Sequence, residues 1–441
     1  MPDPDTNIIR TGDCLDVLAE LPENSVHAVV CDPPYGLGFM GRSWDQFDPH
    51  AYQDFSEHWS TEAKRILKPG GHLIAFSGNR THHRLFSGVE DAGYQIRDTL
   101  TWHYGQGMPK GRDIGKAIDK ERGVEREVVG TEEVDVGMQG GSLHAGREQD
   151  VVERDKTVET SPEAKAWSGW NTALKPCTEF LVLARNPVAE DTIAENVLEW
   201  GTGALNIDGN RIPGPEADGN WESVSDDHEG PVGEGTGLSG GVESEPDSDG
   251  RWPPNVIYDE AAAAQLDESV GELESGGMDM GEHTDNNEQN VYGDFSGGGE
   301  RTGSFPADSG GPSRYFKTHG WDGYSLETNA RLRYKYTSKA STSERTMGGR
   351  IDNPHPTVKP IDLMEWLVSL VSAEGQVVLD PFCGSGSTLK AAKGVGREFV
   401  GVEREPEWAD VARCRCGLSP EDPSNVRSEE GQAGLEGFVD D

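Results

Sequence analysis

The sequence predicts an α/β protein, a largely parallel sheet interrupted by a long polar insert. Three observations carry that prediction. Apolar runs of strand length alternate with helix-like stretches from Asn7 to Trp102, and the same alternation returns from Ile361 to Glu403. Two of these runs, Val26 to Cys31 and Val377 to Leu379, lead directly into turns rich in Pro or Gly. Between the blocks, from Gly105 to Arg350, polar residues and glycine prevail.

In chain order, Val26 to Cys31 reads as a buried strand leading into DPPY, and Ala51 to Leu67 as a helix. Lys68 to Gly78, KPGGHLIAFSG, reads as turn, strand and turn, and Thr99 to Tyr104 and Glu179 to Ala184 as two further short strands. The apolar positions of Ile361 to Val371 recur at helical spacing. After it come strand Val377 to Leu379, a Gly-rich turn, helix Ser387 to Lys393 and strand Phe399 to Val402. The stretches 214–250 and 271–311 are rich in Asp, Glu, Gly and Ser. Such segments cannot bury enough apolar surface to offset their ordering entropy, and both are expected to be mobile loops.

The 441 residues carry 39 Lys and Arg against 79 Asp and Glu, a formal charge of −40. No apolar run approaches the ~18 residues of a membrane span, and the start, MPDPDTN, has no basic and apolar leader. Secretion and membrane insertion are excluded as first readings, and a cytoplasmic protein is expected. Six cysteines show no CxxC pairing, so no metal site and no disulfide scaffold is implied. A charge of −40 normally opposes nucleic-acid binding. At molar salt, however, the Debye length is about 3 Å, and the acidity reads as halophilic adaptation.

Two turns carry chemistry. In DPFCGSG, Asp380 to Gly386, glycines let the backbone approach a ligand closely, and Glu403, ending the next strand, suits the two hydroxyls of a ribose. The turn lacks GxGxxG and is preceded by an acid, which fits a nucleoside without a pyrophosphate better than a dinucleotide. In DPPY, Asp32 to Tyr35, two prolines fix a rigid extended turn after a strand. Asp32 and the Pro33 carbonyl can both accept hydrogen bonds from an exocyclic amino group, while Tyr35 stacks on a flat heterocycle.

DPPY and DPFCGSG, with HPTVKP (His355 to Pro360) ahead of the second, resemble the amino-group DNA methyltransferases that modify adenine N6 or cytosine N4. The order of the motifs is similar to their circularly permuted β group, and TALKPCTEFLVLARNP, GTGALNIDGNRI and RWPPNVI resemble phage-type members. The resemblance covers about 1–104, 167–212 and 331–413. It implies a Rossmann-like, permuted methyltransferase sheet with an inserted target-recognition region, from a halophilic source. The catalytic domain would comprise 1–104, strand region 167–187 and a cofactor-binding part 351–416. A polar insert at 105–166, a target-recognition region at 188–350 and an acidic tail at 417–441 would complete the chain.

The resemblance further implies S-adenosylmethionine as cofactor and a catalytic group of Asp32, Pro33, Pro34 and Tyr35. Asp380, Phe382, Gly384 and Gly386 would hold the methionine and ribose, Glu403 the ribose hydroxyls and Asp13 the adenine side. Thr357 would bond the methionine carboxylate, and Lys359 would pair with it or cap the next helix. Tyr35 and Trp102 would wall the flipped-base pocket. Arg331, Arg333, Lys335 and Lys339, the densest basic cluster, would contact DNA, with Met108 to Gly123 as a second candidate. Adenine N6 is favoured over cytosine N4, because the family's cytosine members more often carry Ser at position 32. The partners implied are duplex DNA, a cognate restriction endonuclease and a second copy of the chain. A DNA- or cofactor-binding protein without activity, and a methyltransferase of RNA or protein, are the alternatives.

Overall fold

Short runs rich in Val, Ile and Leu become parallel strands because both their faces are covered, and amphipathic helices carry one strand to the next. The computed structural model describes residues 5–38, 45, 47–105, 111–135, 151–212, 251–275, 278–283, 301–305, 308–310, 312–319, 340, 342–353, 355 and 357–426. The chain forms two units, one of 1–206, 255–261 and 319–441, the other of 207–254 and 262–318.

The strands are β1 (Ile8–Thr11), β2 (Val26–Cys31), β3 (Leu67–Ser77), β4 (Gln95–His103), β5 (Glu127–Asp135), β6 (Val151–Val158), β7 (Thr178–Arg185) and β8 (Val256–Asp259). There follow β9 (Leu273–Ser275), β10 (Met278–His283), β11 (Arg301–Phe305), β12 (Asp308–Gly310), β13 (Lys317–His319), β14 (Val377–Asp380) and β15 (Glu398–Glu403). In the first unit the sheet runs β1–β15–β14–β2–β3–β7–β4–β8 in space. Neighbours are parallel from β1 to β3, β7 is antiparallel to both β3 and β4, and β8 is parallel to β4. From β14 the chain moves one way, to β15; from β2 it moves the other way, to β3. That reversal opens a crevice beyond the carboxyl ends of β14 and β2, where open α/β sheets bind ligands.

Alternation along β2 feeds two cores. Ala28 and Val30 join the cluster of helix Ile361–Val371, while Val29 and Cys31 join that of helices Cys14–Glu20, Pro49–Ile66 and His82–Asp91. Helix Pro49–Ile66 begins where Asp48 accepts the N–H groups of His50 and Ala51, with Pro49 in its first turn, and carries Trp59 inward. Trp59 is fully buried and meets the Phe382 ring edge-on at 5.3 Å.

The expected strands and helices of both blocks are present, with two differences. The KPGG expected as a turn opens β3 instead, where the register on β2 jumps between Val26↔Leu67 and Ala28↔His72, so a bulge absorbs the glycines. The stretch 271–311, expected to lack structure, holds two antiparallel pairs in the second unit, β10 with β11 and β9 with β12. Backbone pairing between strands needs no apolar payload, which composition alone does not register. The stretch 214–250 lies outside the described residues. The polar insert contains helix Ile114–Glu121 and the antiparallel pair β5–β6.

Trp59→Ala should lower the unfolding free energy by about 3–5 kcal/mol, the usual cost of deleting a large aromatic from a core. Denaturant titration followed by circular dichroism measures it.

Candidate active site

Asp32 follows the last residue of β2, and the turn after it is pinned from outside the motif. Asp45, 1% exposed, accepts the N–H of Gly36 at 2.7 Å and of Leu37 at 3.3 Å, and its backbone carbonyl accepts that of Gly38 at 2.6 Å. Gly36 has φ +67°, and a Cβ there would stand 2.8 Å from the Tyr52 ring, so glycine is required. Sequence reasoning passed over Asp45, whose signal, an acid ten residues past the motif's end, is weak.

The turn presents a polar cluster. The Tyr35 hydroxyl lies 2.8 Å from Asp32 Oδ1 and 3.1 Å from Glu179 Oε2, and its single proton serves one of them at a time. Burial first, then the charge of Asp32, push the Tyr35 hydroxyl well up, which keeps it a donor. Lys359 contacts Asp32 Oδ2, and its ammonium lies 3.4 Å from the Tyr35 hydroxyl, 3.9 Å from Glu179 Oε2 and 4.7 Å from the Phe76 ring centre. Lys359 and Glu179 side chains are 4% and 7% exposed.

Lys359 therefore has a different partner from the one expected. It neither caps the next helix, whose Ile361 N–H is held by Glu344 at 2.7 Å, nor stands free for a cofactor carboxylate. A lysine ammonium has donors only, so it cannot accept from the N–H groups of a helix start. Glu179 was read only as the start of a strand; an acid heading the run FLVLA was the signal that could have found it.

The second turn follows β14. Asp380 is 2% exposed and accepts the Phe382 N–H at 3.0 Å. Burial raises its carboxyl to about 7 against the lowering effect of Thr388 and that N–H. Gly384 and Gly386 have φ +51° and +79°; a Cβ would lie 3.0 Å from the His355 ring at the first and 2.9 Å from Ala412 at the second. Glu403 Oε2 accepts the Gly384 N–H at 2.9 Å and Oε1 that of Glu405 at 2.8 Å, leaving lone pairs on both oxygens for a diol. Burial pushes this carboxyl up. Asp13 caps helix Cys14–Glu20 through the Leu15 N–H at 3.0 Å, and Phe382 lies between Trp59 and Phe55. Thr357 is exposed, its N–H 3.4 Å from His355 Nδ1, and burial pushes the His355 imidazole down to about 3, so it is neutral.

Trp102 requires a correction. It is 2% exposed and packs edge-on to Phe76 at 6.5 Å within the core, so its indole is covered rather than offered to a base. Tyr104, partly buried, lies against it at 5.6 Å. Arg331, Arg333, Lys335 and Lys339 lie outside the described residues, as do 108–110 of the second basic candidate. Among the described residues no helix is long and apolar enough to cross a membrane.

Residues 26–122 and 261–413, more than half of the chain, match the family of N6/N4 type described as DNA methylase, and the chain belongs to that family. The Type II methyltransferase M.HindIII of Haemophilus influenzae is 20% identical over 447 residues, covering 93% of this chain and 95% of that protein. The Type II methyltransferase M.HpaI of Haemophilus parainfluenzae is 34% identical over 110 residues, 24% of this chain and 35% of that one. Among solved structures, the cytosine-N4-specific PvuII DNA methyltransferase aligns over 94% of this chain and 87% of its own at 11% identity and TM-score 0.42. The M1.HpyAVI–SAM complex aligns over 92% and 98% at 14% identity and TM-score 0.36.

The raised Asp380 carboxyl has a measurable consequence. Unfolded, this group releases its proton near 3.8; folded, near 7. The folded chain thus holds the extra proton between those values, and the group's stabilisation, complete below about pH 4, is lost as pH rises through 7. Thermal unfolding without ligand should fall less steeply from pH 4 to 7.5 in Asp380→Asn than in the wild type, and the difference isolates this carboxyl from Glu403 and Glu344, which are also raised.

Proposed function

We propose that this DNA methylase transfers a methyl group from S-adenosylmethionine to adenine N6 in duplex DNA. The observation that carries the reading is the convergence of the Asp32 turn and the Gly384–Glu403 cradle at the ends of two adjacent strands. The cradle fits the cofactor: glycine backbone of positive φ at 384 and 386, packed too closely on His355 and Ala412 to admit a side chain, and a carboxylate with lone pairs left on each oxygen. Glu403 would take the ribose hydroxyls, Asp13 the adenine side, and Asp380 with Gly384 and Gly386 the methionine end, with Thr357 beside them. When bound, S-adenosylmethionine supplies an activated methyl group, which the amine nitrogen receives as the sulfonium becomes a neutral thioether.

The chain's own residues do the rest. A base amine inside the duplex is paired and conjugated, so the base must leave the stack, at a cost of a few kcal/mol. Tyr35, with Tyr104 nearby, offers an aromatic face to the flipped base. Asp32 and the Pro33 carbonyl accept the two amine hydrogens, drawing the lone pair out of conjugation and aiming it in line with the methyl group. The nitrogen, positively charged after transfer, gives one proton to the Asp32 carboxylate, which returns it to water.

The acid at position 32 supports adenine N6 over cytosine N4, and the motif order supports the permuted subgroup. The type II relatives support a cognate endonuclease as partner activity. The surplus of acids fits work at high salt, where screening shortens to about 3 Å. Modification-sensitive sequencing of DNA from a methylation-free host expressing the gene should report N6-methyladenine in one sequence context; N4-methylcytosine or no modification would refute the reading.

Two variants should fail in opposite ways. Asp32→Ala should lower the transfer rate at least ~10²-fold, as loss of one preorganised electrostatic group does, with cofactor binding kept. Glu403→Ala should weaken cofactor binding and keep most of the rate at saturation, since a ribose contact is equal in ground and transition states. Calorimetric titration with the cofactor, beside methyl-transfer kinetics, separates the two.

A further inference from the structure

Asp32 must accept the target amine, yet without DNA its carboxylate is already occupied: Oδ1 takes the Tyr35 hydroxyl at 2.8 Å and Oδ2 the Lys359 ammonium. The incoming amine competes with a buried cation, which cannot simply leave, because an unpaired ammonium in an apolar site is strongly disfavoured. Lys359 is 4% exposed and flanked by the Phe76 and Tyr35 rings. Among the described residues, one other carboxylate is within reach. Glu179, on the first turn-side residues of β7, stands 3.9 Å from Lys359 Nζ and 3.1 Å from the Tyr35 hydroxyl.

We infer that Glu179 is a positioning residue that receives Lys359 and accepts the Tyr35 hydroxyl's hydrogen bond when the target amine takes Asp32. The inference rests on the proposed methyl transfer at Asp32. Both groups stand between the two carboxylates, so the exchange is short. Closing 3.9 Å to an ordinary charge-assisted bond of about 2.8 Å moves the ammonium by roughly 1 Å. Turning the Tyr35 O–H from Asp32 to Glu179 needs only rotation about its C–O bond. Lys359 keeps one close carboxylate throughout, and Asp32 gains two vacant acceptor positions for the amine. No covalent bond is made or broken in the exchange, and no proton changes owner. Glu179 touches neither base nor cofactor in this scheme; it acts through Lys359 and Tyr35.

A double-variant comparison tests this. Methyl transfer from labelled S-adenosylmethionine to genomic DNA of a methylation-free host is measured for wild type, Glu179→Gln, Lys359→Met and the pair. Cofactor titration by calorimetry establishes that each variant is folded. Glu179→Gln leaves Lys359 no anion but Asp32 among the described residues, so the rate at saturating cofactor should fall ~10²-fold or more with cofactor affinity unchanged. Adding Lys359→Met frees Asp32 and should raise the rate of Glu179→Gln about tenfold, a rescue that a merely structural acid would not allow. Glu179→Asp, which keeps the anion, should lose less than tenfold. If the Gln variant fails to bind cofactor, Glu179→Asp with and without Lys359→Met carries the comparison instead, and there the second change should bring no rescue. Wild-type speed in Glu179→Gln, or a pair no faster than that single variant, would overturn the inference while leaving methyl transfer intact. Failure of the wild type to transfer any methyl group would overturn the proposed function and this inference with it.

Discussion

The site depends on the parallel pairing of β14 with β2. Two residue pairs register, Val378 with Ala28 and Leu379 with Val29, and the His27 side chain adds to the ladder by accepting the Val377 N–H at Nδ1, 3.1 Å away. Both strands are buried on both faces, so their rows of Val and Leu fix the depth at which each ends. That depth determines where Asp32 and Asp380 emerge. Everything in the crevice is then a matter of what each turn carries: prolines and an aromatic ring on one side, glycines backed by Glu403 on the other. A slip of one residue would turn every side chain of either strand to the opposite core.

Acids gather in the crevice. Asp32, Asp380, Glu403 and Glu179 converge there; among the described residues the buried Lys359 ammonium meets Asp32 and Glu179, the Arg415 guanidinium backs the glycine turn at Ser385, and backbone N–H groups hold Glu403. Burial without full compensation is why Asp380 and Glu403 hold their protons more tightly than ordinary carboxylates.

Much of this was legible in the sequence because the informative signals are local. A run such as VVLDPFCGSGSTLK states strand, turn and helix within fourteen residues, and the structure follows it. DPPY likewise announces its own rigidity. What was not legible depends on distant partners. Lys359 was assigned to the cofactor, yet its ammonium meets Asp32, 327 residues away, a contact that no local pattern encodes. Glu179 looked like the start of an apolar strand; only the antiparallel placement of β7 beside β3 brings it to the crevice. Trp102 sits at a strand end, where exposure and burial read alike, and the Phe76 ring decides for burial. In the acidic middle, composition argued against structure, while the paired strands at 273–310 hold by backbone bonds that composition does not count.

The separation of the two halves of the sheet also bears on how the protein is made. The bond between Val377 and His27 spans 350 residues, and β1 pairs with no strand but β15 among those described. On the ribosome, β1 and one edge of β2 must wait until the last strands are synthesised, with their apolar rows uncovered meanwhile. Contacts so distant in sequence close slowly. The nascent chain therefore passes through a stage in which the turn after β2 exists without the turns that follow β14 and β15, and the crevice is complete only when the final strands enter between β1 and β2.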